Sequence, residues 1–181
     1  MKGTRLVFSG SGGQGVITAA ILLGEAAVIH EGINAVQSQS YGAAARGGAT
    51  RSDIILSNAT IDFPVVTEPH IVVCLTQEAY NSFAPEIRPG GLLLTDPHFV
   101  ETARKVDARQ VELPMHETVM REIGKPIAFN ICVLGALVGL TDLVRPESVL
   151  KAIKDRVPAE FVAMNERAFG LGFDLAQPCR R

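Results

Sequence analysis

Two glycine-rich segments carry the residues best suited to chemistry. The first is Gly10-Ser11-Gly12-Gly13-Gln14-Gly15 and the second is Gln39-Ser40-Tyr41-Gly42-Ala43-Ala44-Ala45-Arg46-Gly47-Gly48. In the first, Gly10-x-Gly12-x-x-Gly15 lies where a short apolar run ends and a long one begins. There, backbone N–H groups and the dipole of the following helix would face a phosphate or carboxylate. Gln14 adds an amide that can serve a ligand or a neighbouring subunit, or close the loop on itself. In the second, Arg46 can hold a phosphate or carboxylate through two parallel hydrogen bonds, with Tyr41 nearby and Gly47 allowing close approach. A salt bridge across a subunit interface is the competing reading for Arg46. The competing reading for the first loop is a tight strand-to-helix turn that binds nothing.

The spacing matches a dinucleotide-binding turn, but such a turn is completed by an acidic residue about 20 positions later for the ribose. That stretch reads Ala35-Val36-Gln37-Ser38 and holds no carboxylate. Other catalytic patterns are poor. Ser9-Gly10-Ser11-Gly12 is not a nucleophile elbow, Asp96-Pro97-His98 reads as the start of a loop or helix rather than a dyad, and Met115, Met120 and Phe129 read as core. Cys74, Cys132 and Cys179 show no C-x-x-C spacing, and two sit in apolar runs. His30, His70, His98 and His116 are dispersed, so no metal or cluster ligand set is expected.

Composition narrows the setting. With 181 residues and 47% hydrophobic content the chain suits one domain, 1–181, with a sizeable core. A net charge of -2 with 17 scattered basic residues favours neither nucleic acid nor an anionic membrane. Leu6-Val7-Phe8 ends at once in Ser9-Gly10, unlike a signal peptide, and the longest apolar stretch, near Ile131 to Leu140, is too short for a span. These features point to a soluble, cytoplasmic protein.

The elements that would position the loops follow from periodicity. Strands are expected over Thr4–Ser9, Ala35–Ser38, Asp53–Ser57, Ile71–Thr76, Leu92–Thr95 and Ala108–Leu113, with a short returning strand starting at Ile61. Ile71–Thr76 and Leu92–Thr95 read as central parallel strands. Gly15–Glu31 reads as a helix apolar nearly all round, buried on a sheet with Gly24 permitting close approach. Further helices are expected over Gln77–Ala84, His116–Ile123, Ala128–Leu140, Glu147–Val157 and Glu160–Phe169. The pattern predicts an α/β fold: a three-layer, Rossmann-like domain with a mostly parallel sheet and a helical C-terminal part.

Several motifs in fixed order resemble the gamma subunit of the 2-oxoacid:ferredoxin oxidoreductases, most closely the 2-oxoglutarate branch. They are the first glycine loop, Gln39-Ser40-Tyr41-Gly42, Ala45-Arg46-Gly47-Gly48, Asp62 with Pro64, Thr76-Gln77-Glu78-Ala79, and Asn130 followed by Leu134-Gly135-Ala136-Leu137. Ala43-Ala44 departs from the Pro-Glu that many relatives carry there. The resemblance implies oxidative decarboxylation of a 2-oxoacid with coenzyme A and ferredoxin, giving acyl-coenzyme A, carbon dioxide and reduced ferredoxin. It places thiamine diphosphate, its magnesium ion and the 4Fe-4S clusters on alpha, beta and delta partner subunits, with no cofactor held tightly here. The gamma chain would pack against those subunits, support the active site and help hold coenzyme A. Gly10, Gly12, Gly13, Gln14, Gly15, Tyr41, Arg46, Gly47 and Asn130 are the candidate binding residues, and none is assigned a proton-transfer role. The pyruvate/ketoisovalerate and indolepyruvate branches, and a free-standing nucleotide-binding regulatory module, are the alternatives.

Overall fold

A computed structural model describes residues 3–41, 50–103 and 105–180. Its strands are β1 (Thr4–Gly10), β2 (Asn34–Tyr41), β3 (Thr50–Ser57), β4 (Ile71–Cys74), β5 (Gly91–Thr95) and β6 (Ala108–Glu112). They form one sheet in the order β2-β3-β1-β4-β5-β6. β1, β4, β5 and β6 are mutually parallel, whereas β3 runs antiparallel to both β1 and β2. β4 and β5 are buried throughout, as continuous apolar runs between two helical layers must be.

The helices are α1 (Val16–Glu31), α2 (Gln77–Phe83), α3 (Met115–Glu122), α4 (Phe129–Leu140), α5 (Pro146–Arg156) and α6 (Ala159–Ala176). Alternate side chains of the strands separate them into layers. Leu6, Phe8, Ile54, Val73 and Leu94 meet α1 and the C-terminal helices in the larger core. Val7, Ile55, Val72 and Leu93 meet Ala79 and Tyr80 of α2 in the smaller one. This is the expected α/β architecture.

Local differences from the sequence reading have clear causes. β2 runs on through Gln39, Ser40 and Tyr41, because β3 supplies ladder partners as far as Thr50. No strand begins at Ile61; residues 58–70 lack regular structure among the described residues. α6 passes through Gly170 and Gly172 to Ala176 rather than stopping at Phe169. Packing outweighs the weak helix propensity of glycine there, since a Cβ at Gly172 would overlap the carbonyl oxygen of Cys132 on α4. α1 is not covered all round, for Val28 and Ile29 are 48% and 65% exposed. Gly24 does face the sheet, where a Cβ would lie 3.4 Å from Ile54 Cδ1. Met120, read as core, is 40% exposed, while Met115 and Phe129 are buried as expected.

Candidate ligand site at the carboxyl edge of the sheet

The parallel strands all end on one edge, and the first glycine loop leaves β1 there. The backbone at Gly13 and Gly15 is left-handed, with φ of 95° and 70°, which favours glycine at both positions. Gln14 closes the loop. Its Oε1 accepts from Ser11 N–H at 2.8 Å, and its Nε2 donates to the Leu75 carbonyl at 2.9 Å, just past the end of β4. The amide is therefore engaged in holding the turn against the neighbouring strand.

Asn130, 115 positions away in sequence from Gly15, supports the turn from the other side. Its Nδ2 donates to the Gly15 carbonyl at 3.3 Å, and a Cβ on Gly15 would lie 2.5 Å from that nitrogen. Asn130 is buried in the first turn of α4. Gly12 and Gly13 behave in the opposite way, since a Cβ on either would meet no atom within 4 Å. The loop is thus fixed at Gln14 and Gly15 and open at Gly12 and Gly13.

A cavity of about 330 Å³ adjoins the open side, lined by Gly13, Gln14, Gly15, Thr18, Lys125 and Asn130, with Ile131, Val157, Phe161, Met164 and Asn165 forming further wall. No side chain caps α1, and its first turn holds no acidic residue. Its positive dipole end and the exposed Lys125 ammonium consequently face the same space, an arrangement suited to a ligand with an anionic head and an apolar body.

The described residues that flank the second glycine segment lie beside the first loop. Thr50 pairs with Gly10 on one side and Tyr41 on the other, so Tyr41 and Thr50 bring the chain to this same edge. Arg46 and Gly47 lie outside the described residues. The intervening β3 also keeps β2 from neighbouring β1, so the strand that carries the ribose-binding acid in a dinucleotide fold stands one strand further from the loop.

Other motif residues serve the scaffold. Thr76 caps α2 by accepting from Ala79 N–H at 3.2 Å, and Gln77 Oε1 accepts from Glu101 N–H at 2.8 Å. Asp96 is buried at the end of β5, where its two oxygens accept from the backbone N–H groups of His98 and His116 at 2.9 and 2.7 Å. That joins the segment after β5 to the first turn of α3 and makes no catalytic dyad. The imidazoles of His98 and His116 stack with centroids 4.2 Å apart. Burial pushes the thiols of Cys74 and Cys132 up to about 12.

Sequence reasoning did not single out Thr18, Lys125, Phe161, Met164 or Asn165. Only Asn165 carried a signal, as a polar residue within an apolar helical pattern. It is buried, and its Nδ2 donates to the Phe161 carbonyl at 2.8 Å.

Residues 5–175 match the pyruvate ferredoxin/flavodoxin oxidoreductase family. The chain belongs to that family, as a gamma-type subunit of a 2-oxoacid:ferredoxin oxidoreductase. It is 44% identical over 171 residues to a 2-oxoglutarate synthase subunit of Methanocaldococcus jannaschii, a match spanning 93% of this chain and 91% of that one. The gamma subunit of a keto/oxoacid ferredoxin oxidoreductase from Geobacter sulfurreducens superposes with a TM-score of 0.91 at 38% identity, all of each chain being covered. The same fold recurs, at 21% identity and a TM-score of 0.87, in a 2-oxoglutarate:ferredoxin oxidoreductase from Magnetococcus marinus with 2-oxoglutarate, coenzyme A and succinyl-CoA bound. That match covers 98% of this chain and 32% of the other.

Proposed function

We propose that this chain is the gamma subunit of a 2-oxoglutarate:ferredoxin oxidoreductase and that its glycine-loop cavity receives part of coenzyme A. The observation carrying the substrate assignment is the 44% identity, over nearly the whole of both chains, to a 2-oxoglutarate synthase subunit. In the reaction, 2-oxoglutarate loses carbon dioxide, the remaining acyl group passes to the thiol of coenzyme A, and two electrons leave for ferredoxin.

The residues present do not fit the cofactors of that chemistry. Cys74 lies in the core under α2, whereas Cys132 and Cys179 belong to the core on the opposite face of the sheet. These three cannot converge on one cluster. Among the described residues no group of three or more His, Cys, Asp or Glu side chains could hold a metal ion. Thiamine diphosphate, magnesium and the clusters are accordingly assigned to alpha, beta and delta partners, with ferredoxin docking on the assembled complex.

Coenzyme A does suit the cavity. Lys125, the uncapped start of α1 and the open backbone at Gly12 and Gly13 would hold a phosphate, while Ile131, Phe161 and Met164 would flank the less polar arm. Gln14 and Asn130 would position the loop and leave the ligand to its neighbours.

The test uses the complex rebuilt with variant gamma chains. Gly12→Val fills open space without requiring a left-handed valine, and Lys125→Ala removes a charge worth about 1.5 to 3 kcal/mol in a charge-assisted contact. Each is expected to raise the coenzyme A concentration needed for half-maximal rate by about ten- to a hundredfold, with 2-oxoglutarate saturation unchanged. Arg46→Ala tests the second segment in the same assay. Normal coenzyme A dependence in fully assembled variants would overturn the pocket reading. Preference for another 2-oxoacid would overturn the substrate assignment alone.

A further inference from the structure

The two outer edges of the sheet differ sharply. β6 has five residues and includes Arg109 and Glu112. Arg109 donates to the Cys179 carbonyl, and Glu112 accepts from Thr102, so charge and neighbouring chain both protect this edge. β2, Asn34-Ala35-Val36-Gln37-Ser38-Gln39-Ser40-Tyr41, has eight residues with no charge, proline or glycine, and pairs with β3 alone among the described residues. Edge strands that work alone are shortened, charged or covered, because their unpaired N–H and C=O groups otherwise recruit another strand.

The face beside this edge is also unfinished. Val28 and Ile29 of α1 are largely exposed. With Ile21 and Gly24 they form a groove of about 310 Å³ against Ala35 and Gln37 of β2. Glu25, at the same groove, is already paired with Arg156 at 2.5 Å. The groove therefore presents apolar surface and a neutralised charge, continuous with a bare strand edge.

We propose that β2 is the contact edge for a second copy of this chain, with the two β2 strands pairing antiparallel about a two-fold axis perpendicular to the sheet. Such an axis keeps both α1 helices on one face. α1 packs about equally on β2 and β3 and less on β1, and at its middle Gly24 faces both Ala35 of β2 and Ile54 of β3, so its axis there lies above the space between those two strands. With strands about 4.8 Å apart, joining the edges sets the two α1 axes roughly 10 Å apart, within the range for directly packed helices. The apolar stripe of one α1 thus meets the same stripe of its mate as the strands reach hydrogen-bonding distance. An uncharged strand incurs no like-charge repulsion against its own copy. An eight-residue edge is about 26 Å long, so the contact covers on the order of 500 Å² per copy, below the usual 800 Å². A contact of this size suits a weak dimer that forms only as concentration rises.

Sedimentation of the full chain over a micromolar-to-millimolar range, with reductant to keep Cys179 from cross-linking, tests the interface. The wild type is expected to pass from monomer to dimer, with the amides of residues 34–41 gaining protection from hydrogen exchange as concentration rises. Ser38→Lys, near the axis, and Ile29→Lys, on the helix stripe, should each weaken dimerisation at least about tenfold. Circular dichroism and melting verify their fold. Mixing Ser38→Lys with Ser38→Glu chains should restore a dimer containing one of each, which occurs only if the strand meets itself. A wild type that stays monomeric throughout, a dimer indifferent to both lysines, or a mixture that fails to pair would overturn the proposal. So would lysine variants that still dimerise but no longer assemble with partner subunits, since the edge would then belong to a different chain.

Discussion

Glycines do opposite work in the β1–α1 loop and at the crossing of α4 with α6. In the loop, Gly12 and Gly13 border open space and Gly13 and Gly15 supply left-handed backbone. At the crossing, Gly135, Gly139 and Gly172 lie within helices. A methyl group on Gly135 would overlap the Phe169 carbonyl, and one on Gly139 would lie 2.8 Å from the Phe173 oxygen. One region uses glycine to expose backbone to an approaching ligand, and the other uses it to bring two backbones together. Composition alone does not separate these uses; the neighbours of the missing Cβ do.

The largest effect that would test this contrast is at the crossing. Gly135→Ala must push apart two buried helices at a backbone carbonyl, which does not rotate away as a side-chain tip would. A loss of about 3 kcal/mol or more is expected, seen as a melting temperature lower by about 6 to 12 °C for a chain of this size. An unchanged melting temperature would refute the close-contact reading.

Gly15→Ala should cost less, about 1 to 3 kcal/mol, from a non-glycine residue at positive φ and from crowding against Asn130. Asn130→Ala should cost about 1 kcal/mol for the lost hydrogen bond to the loop. Because the new methyl at position 15 meets the Asn130 side chain, the double variant should be less destabilised than the sum of the singles by about 1 kcal/mol. Strict additivity would show that Asn130 does not brace the turn. Gly12→Val is the near-zero member of the series, expected to leave the melting temperature within about 1 °C while affecting ligand binding.

Thiol labelling examines the crossing from within. Cys132 lies on α4, and both it and Cys74 are buried with thiols pushed up to about 12. The native protein at pH 8 should take one adduct, at the partly exposed Cys179, and all three cysteines should react after denaturation. Rapid labelling of Cys132 would mean that the helix crossing opens readily.

The smallest effect is at the opposite end of β4. Burial, with the charges of Arg88 and Arg5, lowers His70 below its usual 6.5. The unfolded chain therefore binds more protons than the folded one as pH falls below 6.5, and stability declines there. His70→Gln should flatten that decline, as measured by denaturant titration between about pH 7 and 5.

Much of the architecture was legible in residue pattern. The runs at Ile71 and Leu92 had strand length and no polar face, so only a doubly covered position in the sheet could bury them. Gly10 to Gly15 stands between an apolar strand and an apolar helix, which places the loop from pattern alone. The end of α6 was not legible, because Gly170 and Gly172 normally argue against a helix and only the approach of α4 reverses that. The short strand that the pattern predicts at Ile61 does not form, since residues 58–70 find no ladder partner among the described residues. Met120 reads as core by residue type and α1 as apolar nearly all round, yet Met120, Val28 and Ile29 fall where no neighbouring element among the described residues covers them.

What the sequence determined by itself was local: apolar periodicity set the order and type of most elements, and glycine spacing set a turn able to face an anion. The tertiary structure decided what distant residues do to that turn. It took the Gln14 amide for the backbone of β4, brought Asn130 under Gly15 and set Lys125 beside the start of α1. It also put β3 between β2 and β1 and left β2 at the edge of the sheet, paired with β3 alone among the described residues. These outcomes depend on contacts between segments tens of residues apart, fixed by strand order and helix packing rather than by neighbouring sequence.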